Sequence, residues 1–379
     1  MRAAAVVVGL SLLASVTGPA RAADGQAAPA PALRRTTAAR VAAFVPGLVL
    51  HGSGHFVGGD RPTALRLLSL EALGLGTVAG GIAVLALTGA SRQLSAPIFS
   101  LPVLGAGLLA VSALGDLYGV LAPEGGTGAP LSFAPAVEER VGARYVYDPT
   151  LQYGLLLGPA LDLRWRGFRL SPSAWLATGH SNVRIDAELA YRPAGWGPRP
   201  QTAAEALPVE APLPPVRGSF AELATAIRHH RYGPEGFDLT VLEAAAQGRV
   251  DLDALLRTGA GSFAEWGWGL GLVLTHYHTG ARETDGDGLL LARFAYGIYL
   301  GRGTARRGEV MVYYDHRHDD YAGGLKLTGV GSGVAGHLGL RGQWLASEHW
   351  GLAVDFQVGS AYVASLSLIH RLAPGRRLP

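Results

Sequence analysis

The stretch Phe263-Ala264-Glu265-Trp266-Gly267-Trp268-Gly269-Leu270-Gly271-Leu272-Val273-Leu274-Thr275-His276-Tyr277-His278 decides the fold. In an extended chain successive side chains point to opposite faces. Even positions here read Trp266, Trp268, Leu270, Leu272 and Leu274, while odd positions read Glu265, Gly267, Gly269 and Gly271. One face is large and apolar, the other small or charged. A soluble sandwich also alternates, but its polar face is usually built from Lys, Glu and Thr and not from a row of glycines. Aromatic residues followed by aliphatic ones match an interfacial girdle above a lipid band.

The same parity recurs on both sides of this segment. Upstream, Leu155, Leu157, Leu161, Leu163 and Trp165 oppose Asp162 and Arg164, and Val183, Ile185, Leu189 and Tyr191 oppose Arg184, Asp186 and Glu188. Downstream, Leu290, Phe294, Tyr296 and Ile298 oppose Arg293; Val310, Val312 and Tyr314 oppose Asp315 and Arg317. Leu338, Leu340 and Trp344 oppose Arg341, and Trp350, Leu352, Val354 and Phe356 oppose Asp355. Strands are therefore expected near 140–148, 151–166, 168–179, 183–192, 263–278, 289–301, 309–318, 334–346, 350–358 and 361–371. That is about ten, an even number, as closed bacterial barrels require. The charged set Asp162, Arg164, Arg184, Asp186, Glu188, Glu265, Arg293, Asp315, Arg317, Arg341 and Asp355 is expected to line the lumen. Trp165, Trp266, Trp268, Tyr296, Trp344, Trp350 and Phe356 form the expected lipid-facing girdle.

On these residues the half of the chain from Arg140 to Leu372 resembles Gram-negative outer-membrane β-barrel proteins, as a superfamily and not as one member. The resemblance implies an all-β transmembrane barrel of antiparallel strands with outer-membrane lipid as its surroundings. The ending Leu368-Ile369-His370-Arg371 departs from the aromatic terminus common among such barrels.

Residues 193–262 interrupt the alternation. Pro193 to Pro215 is proline-rich, Ser219-Phe220-Ala221-Glu222 has the form of a capping box, and Asp238 and Asp251 stand as caps before apolar runs. This spacing predicts three short helices in a periplasmic insert able to plug the pore or dock an envelope protein. The alternation Phe237-Leu239-Val241 supports the other reading, two further strands and a twelve-stranded barrel.

Upstream of the barrel, Met1-Arg2, an apolar run to Val16 and Ala20-Arg21-Ala22 read as a signal peptide over 1–22, followed by a linker over 23–40. Residues 41–122 form an apolar helical segment. Leu67–Thr88 and Ile98–Leu121 are each long enough to cross a bilayer, which suggests a hairpin. Gly76 with Gly80, and Gly105 with Gly107, would allow close approach of two helices. Glu71 and Asp116 lie within these runs and must face protein or the interface. Val45-Pro46-Gly47, then His51-Gly52-Ser53-Gly54-His55-Phe56 and Gly58-Gly59-Asp60, resemble the proline-glycine turn of small two-helix bacterial membrane modules.

Composition sets the function classes. The chain of 379 residues is 49% hydrophobic and 16% charged, with 54 Gly and no Cys, against about a quarter charged in ordinary soluble domains. A net charge of +3 argues against a nucleic-acid surface, and zero Cys excludes disulfides and thiolate metal sites. His51 and His55 have the i, i+4 spacing of a zinc pair without the glutamate of the helical zinc motif. His276 with His278, and His316 with His318, each share a strand face, yet polar rims of barrels look the same. No catalytic set and no cofactor is expected. The function expected is a non-enzymatic outer-membrane scaffold or narrow channel; the alternative is a lipid- or peptide-cleaving barrel enzyme using His276, His278, Asp315 and His316.

Overall fold

Alternation over the second half of the chain produces strands, and the strands close on themselves. The computed structural model describes residues 33–88, 92–130, 135–148, 153–195, 218–278, 284–302, 307–322, 324–325 and 336–372. The expected signal peptide lies outside the described residues, and the expected linker gives way to a helix at Thr37. Twelve antiparallel strands form the barrel: β1 (Val137–Tyr147), β2 (Gly154–Trp165), β3 (Phe168–Ala177), β4 (Val183–Gly195), β5 (Phe220–Tyr232), β6 (Phe237–Asp251), β7 (Ser262–Tyr277), β8 (Thr284–Leu300), β9 (Arg307–Asp315), β12 (His337–Leu345), β13 (Trp350–Val358) and β14 (Tyr362–Leu372). The two-residue strands β10 (Asp319–Asp320) and β11 (Gly324–Leu325) pair with each other between β9 and β12. Each barrel strand pairs with its sequence neighbour in the barrel, and β1 closes onto β14 in the register Arg140↔Ile369 and Tyr147↔Tyr362. The start of β1 and the end of β14 mark what we term the terminal end; the opposite rim is the far end.

The expected closed antiparallel barrel forms, with twelve strands where ten were the first expectation. Two of the three expected helices are strands β5 and β6. Leu223 and Ile227, which fit a helical stripe, are 55% and 50% exposed on the outer wall, while Glu222 and Arg228 point inward. Paired with β4 on one side and with β7 on the other, β5 and β6 widen the closed sheet from ten strands to twelve. The third helix forms, as α5 (Leu252–Leu256). The expected cap Asp238 instead reaches His278 Nε2 at 3.0 Å, and Asp251 accepts a hydrogen bond from the Tyr299 hydroxyl at 2.9 Å. The glycine row of β7 permits tight curvature: a Cβ on Gly269 would stand 2.7 Å from Ala245 Cβ on β6.

Outward positions behave as the parity demands. Leu155, Leu161, Ile185, Leu270, Leu340, Leu352 and Leu368 are exposed, and Trp165, Trp344, Trp350 and Phe356 are exposed with them. Trp165 stacks on Phe168 at the terminal end, and Tyr147 meets Tyr362 at the far end. Ten residues of strand separate Trp165 from Leu155. At about 3.3 Å each and a tilt of about 40° they cover about 25 Å, the height of a membrane barrel's apolar band.

Strand β8 is the exception. Its outward Leu290, Ala292 and Tyr296 are buried, because the helices pack over them. Tyr296, expected in the lipid girdle, is 8% exposed and packs with Val111, Tyr118 and Leu256. The helical segment comprises α1 (Thr37–Phe44), α2 (Ser53–Val57), α3 (Arg61–Thr88) and α4 (Arg92–Leu121), numbered before α5 in chain order. Helices α3 and α4 are long and apolar enough to cross a membrane, and form the expected hairpin. Helix α4 runs along the terminal half of β8, from Tyr118, whose hydroxyl donates to Ala260 O at 2.7 Å near the terminal end, to Phe99, 4.9 Å from the His316 ring, whose backbone N–H donates to Ala292 O of β8. The hairpin's close contact uses other glycines than the expected Gly76 and Gly80, which face open space. A Cβ on Gly105 would stand 2.7 Å from Gly74 O, and one on Gly107 would stand 2.8 Å from the Phe294 ring on β8.

This packing sets a test. Gly105→Leu should destabilise the helical segment by about 1–3 kcal/mol through overpacking, read as a lowered melting temperature of the 222 nm signal in detergent. Gly76→Leu should stay within about 0.5 kcal/mol of the parent.

Candidate functional site

The lumen contains the densest chemistry. Twelve strands enclose more space than the eight whose interior side chains just fill, and the surplus is a cavity of about 930 Å³ reaching from the terminal end to Arg228, Glu243, Asp315 and Arg317. Eleven arginines and eight carboxylates line it. Most are paired across strands. Arg169 on β3 meets Glu188 at 2.6 Å and Glu222 at 3.2 Å, and Arg192 on β4 meets Glu222 at 2.6 Å. Arg249 on β6 bridges Glu265 on β7 at 2.6 Å and Glu309 on β9 at 2.7 Å, and Arg293 joins Glu265 at 3.4 Å. Farther in, Glu243 takes Arg228 at 3.2 Å and Arg317 at 2.5 Å. Around the wall, Arg341 meets Asp355 at 2.9 Å and Arg371 meets Glu138 at 2.8 Å.

Of the expected lumen residues, Asp162, Arg164, Glu188, Glu265, Arg293, Arg317 and Arg341 line this cavity, and Arg184, Asp186 and Asp355 are not among its lining. Asp162 and Arg164 pair at 3.0 Å, Arg184 and Asp186 at 3.0 Å, and Asp315 lines the cavity. Sequence reasoning missed Glu222, Arg228, Glu243 and Arg249, because it read their segments as helical. The signal was available: Glu222 and Arg228 share one parity, and Glu243 and Arg249 share theirs against the outward Leu242.

The far end of the lumen is apolar and filled. Val146, Leu156, Trp175, Tyr232, Leu239 and Val363 turn inward from six strands and pack with Tyr153, Phe237, Tyr321 and Ala322. Tyr153 meets Tyr321 edge-on at 4.6 Å, and Tyr232 stacks on Phe237 at 4.5 Å. The segment between β9 and β12 is held in place by Tyr321, whose hydroxyl lies 3.0 Å from His230 Nε2, and by Ser360 N donating to Ala322 O at 2.7 Å. His230 Nε2 also meets Asn182 Oδ1 at 2.6 Å. Burial pushes the Tyr153 hydroxyl above the usual phenol range, so this plug carries no phenolate there.

A second polar cluster joins the N-terminal helices. Asp116 on α4 and His55 on α2 are both 0% exposed, with Nδ1 of the imidazole 2.7 Å from Oδ1 of the carboxylate. Asp116 also accepts hydrogen bonds from Gly52 N at 3.0 Å, Gly54 N at 3.1 Å and His55 N at 3.2 Å. Glu71 on α3 accepts one from His51 N at 2.9 Å. Gly52 adopts φ 89°, a left-handed conformation that favours glycine and turns successive amides toward one anion. The two carboxylates in the apolar helices thus satisfy the glycine-rich turn, and α2 begins at Ser53, so His51 and His55 do not share one helix face.

The remaining histidines are dispersed. His276 Nδ1 lies 3.1 Å from Thr284 Oγ1, His278 takes Asp238, and His316 Nδ1 meets the Tyr314 hydroxyl at 2.9 Å. The His316 and His318 rings are 5.0 Å apart. Among the described residues no three His, Asp or Glu side chains gather as a metal site.

Two substitutions test these clusters. Asp116→Ala leaves three amides and an imidazole without their acceptor and should cost at least about 3 kcal/mol. Hydrogen exchange of residues 52–58 should rise with it, and Asp116→Asn should fall between. Arg249→Ala takes the bridging arginine from Glu309 and leaves Glu265 with Arg293, and should cost about 3–5 kcal/mol in denaturant unfolding.

No protein-family model and no curated protein matches this chain. Among solved structures, the KdgM porin aligns at 8% identity and TM-score 0.35 over 62% of this chain and 99% of that one. The outer membrane protein Omp33 of Acinetobacter baumannii aligns at 12% identity and TM-score 0.30, over 64% and 100%. The translocator domain of the autotransporter NalP from Neisseria meningitidis aligns at 10% and 0.35, over 63% and 89%. The barrel itself is established by its twelve closed strands and their outward apolar faces.

Proposed function

We propose that this chain is an outer-membrane barrel of the channel or transport type, resting in a closed state. The observation that carries the reading is a charged vestibule, open at the terminal end, that stops at an aromatic plug. With both barrel termini at one rim, the terminal end faces the periplasm and the plug faces outward. Eleven arginines against eight carboxylates, nine with the Asp355 that pairs with Arg341, leave a surplus of positive charge, so the open state prefers anions. A scaffold role without conductance is the coarser form of the same reading. The enzyme alternative draws no support from the histidines, which the structure divides among separate hydrogen-bond partners.

Planar-bilayer recording tests this. The parent protein should show rare or no openings, and Tyr153→Ala combined with Tyr321→Ala should give stable steps with a reversal potential shifted toward that of chloride. A folded plug variant that still passes no current would remove the channel and leave the scaffold.

A further inference from the structure

Helix α1 is amphipathic in an unusual place. Its inner face, Ala39 and Ala43, packs on Val120 near the end of α4. Its outer face continues into an exposed apolar loop: Phe44, Val45, Leu48, Val49 and Leu50 all stand free, with Val45 73% and Val49 79% exposed. Phe56 and Val57 follow on α2 and are also exposed. Water does not favour such a contiguous patch, and patches of this kind mark contact surfaces.

Its depth follows from its neighbours. The end of α4 is tied by Tyr118 to Ala260, and Thr127 Oγ1 donates to Tyr299 O at 2.6 Å, both at the terminal end of β7 and β8. The patch therefore lies at the terminal edge of the apolar band and runs into the exposed Leu65 and Leu68 of α3. Its charges are of one sign. Residues 33–62 contain Arg34, Arg35, Arg40 and Arg61 against the single Asp60. Asp60 is engaged, accepting from Thr63 N at 3.2 Å. The exposed Arg34, Arg40 and Arg61 flank the loop, and the Arg61 guanidinium lies 5.7 Å from the Phe56 ring. Apolar and aromatic side chains beside a basic rim are what an interfacial membrane element presents to anionic headgroups.

We propose that residues 34–61 form an interfacial foot that seats the loop 44–50 among acyl chains and binds anionic phospholipid headgroups through Arg34, Arg40 and Arg61. This rests on the membrane placement proposed above. It assigns the helical segment a lipid partner at the terminal leaflet, separate from the barrel wall.

The chain has no Cys, so Val49→Cys carries one environment-sensitive fluorophore in the full-length protein. The labelled protein is refolded into vesicles of phosphatidylethanolamine with phosphatidylglycerol, and into vesicles of phosphatidylcholine alone. The expected result is blue-shifted emission with quenching by nitroxide-labelled lipid, stronger in the anionic vesicles. Adding Arg34→Gln, Arg40→Gln and Arg61→Gln should lower that quenching, each arginine weighing roughly fivefold in partition, while the heat-modifiable mobility of the folded barrel stays unchanged. Emission that stays water-like and iodide-quenched with a folded barrel overturns the foot alone. Equal immersion in both lipids, indifferent to the arginines, overturns the anionic assignment. A label shielded from iodide yet not quenched by lipid indicates a protein contact and also overturns it. A barrel that inserts into neither vesicle overturns the membrane reading and the foot together.

Discussion

A peptide N–H or C=O without a partner away from water costs about as much as a lost hydrogen bond, and closure of the twelve-stranded sheet meets that constraint. Each barrel strand has a partner on both sides, and β1 on β14 leaves no edge. Residues 220–251 are strands although their apolar spacing fits helices. An isolated amphipathic helix gains little by itself, whereas these strands of 13 and 15 residues hydrogen-bond to each other and to β4 and β7. The hairpin of α3 and α4 meets the same constraint differently, since a helix pairs its backbone internally and needs a neighbour only for its side chains.

Once the sheet closes, the two faces of each strand have opposite solvents. The inward face carries arginines and carboxylates that would each be expensive to bury alone, and they occur as bridged sets in which one residue serves several partners, as Arg249 does for Glu265 and Glu309. Such pairing makes the vestibule wall rigid more than it makes it strong, because the cost of desolvating ions offsets much of their attraction. The far end has the Arg184–Asp186 pair opposite Trp175 and the hydrogen bonds of His230. It is filled with aromatic rings, so the lumen changes from wet and charged to dry and packed within one barrel.

The helical segment shows how a carboxylate survives in an apolar helix. Asp116 is surrounded by amides of a turn that glycine alone shapes easily, and by an imidazole, so its charge is met within the protein. Small residues do the complementary work along the seam: Gly74 and Gly105 bring the two helices together, and Gly107 admits Phe294 from β8. The segment is thereby a second layer on one wall of the barrel.

The sequence by itself determined which side chains of the expected strands face inward and which outward, because strand parity is a local property of the backbone: Asp162, Arg184, Arg341 and Asp355 needed no knowledge of their partners. It also marked Glu71 and Asp116 as groups that had to face protein. Tertiary structure alone decided the rest. Glu222 and Leu223 fit two periodicities equally, and pairing with β4 and β6 chose between them. Tyr296 has the same local pattern as Trp344, yet one lies under α4 and the other is exposed, since what covers an outward residue depends on chain remote in sequence. The pairing of His55 with Asp116, 61 residues away, is likewise invisible to any local reading, because spacing along the chain does not encode which helix end a glycine-rich turn will meet.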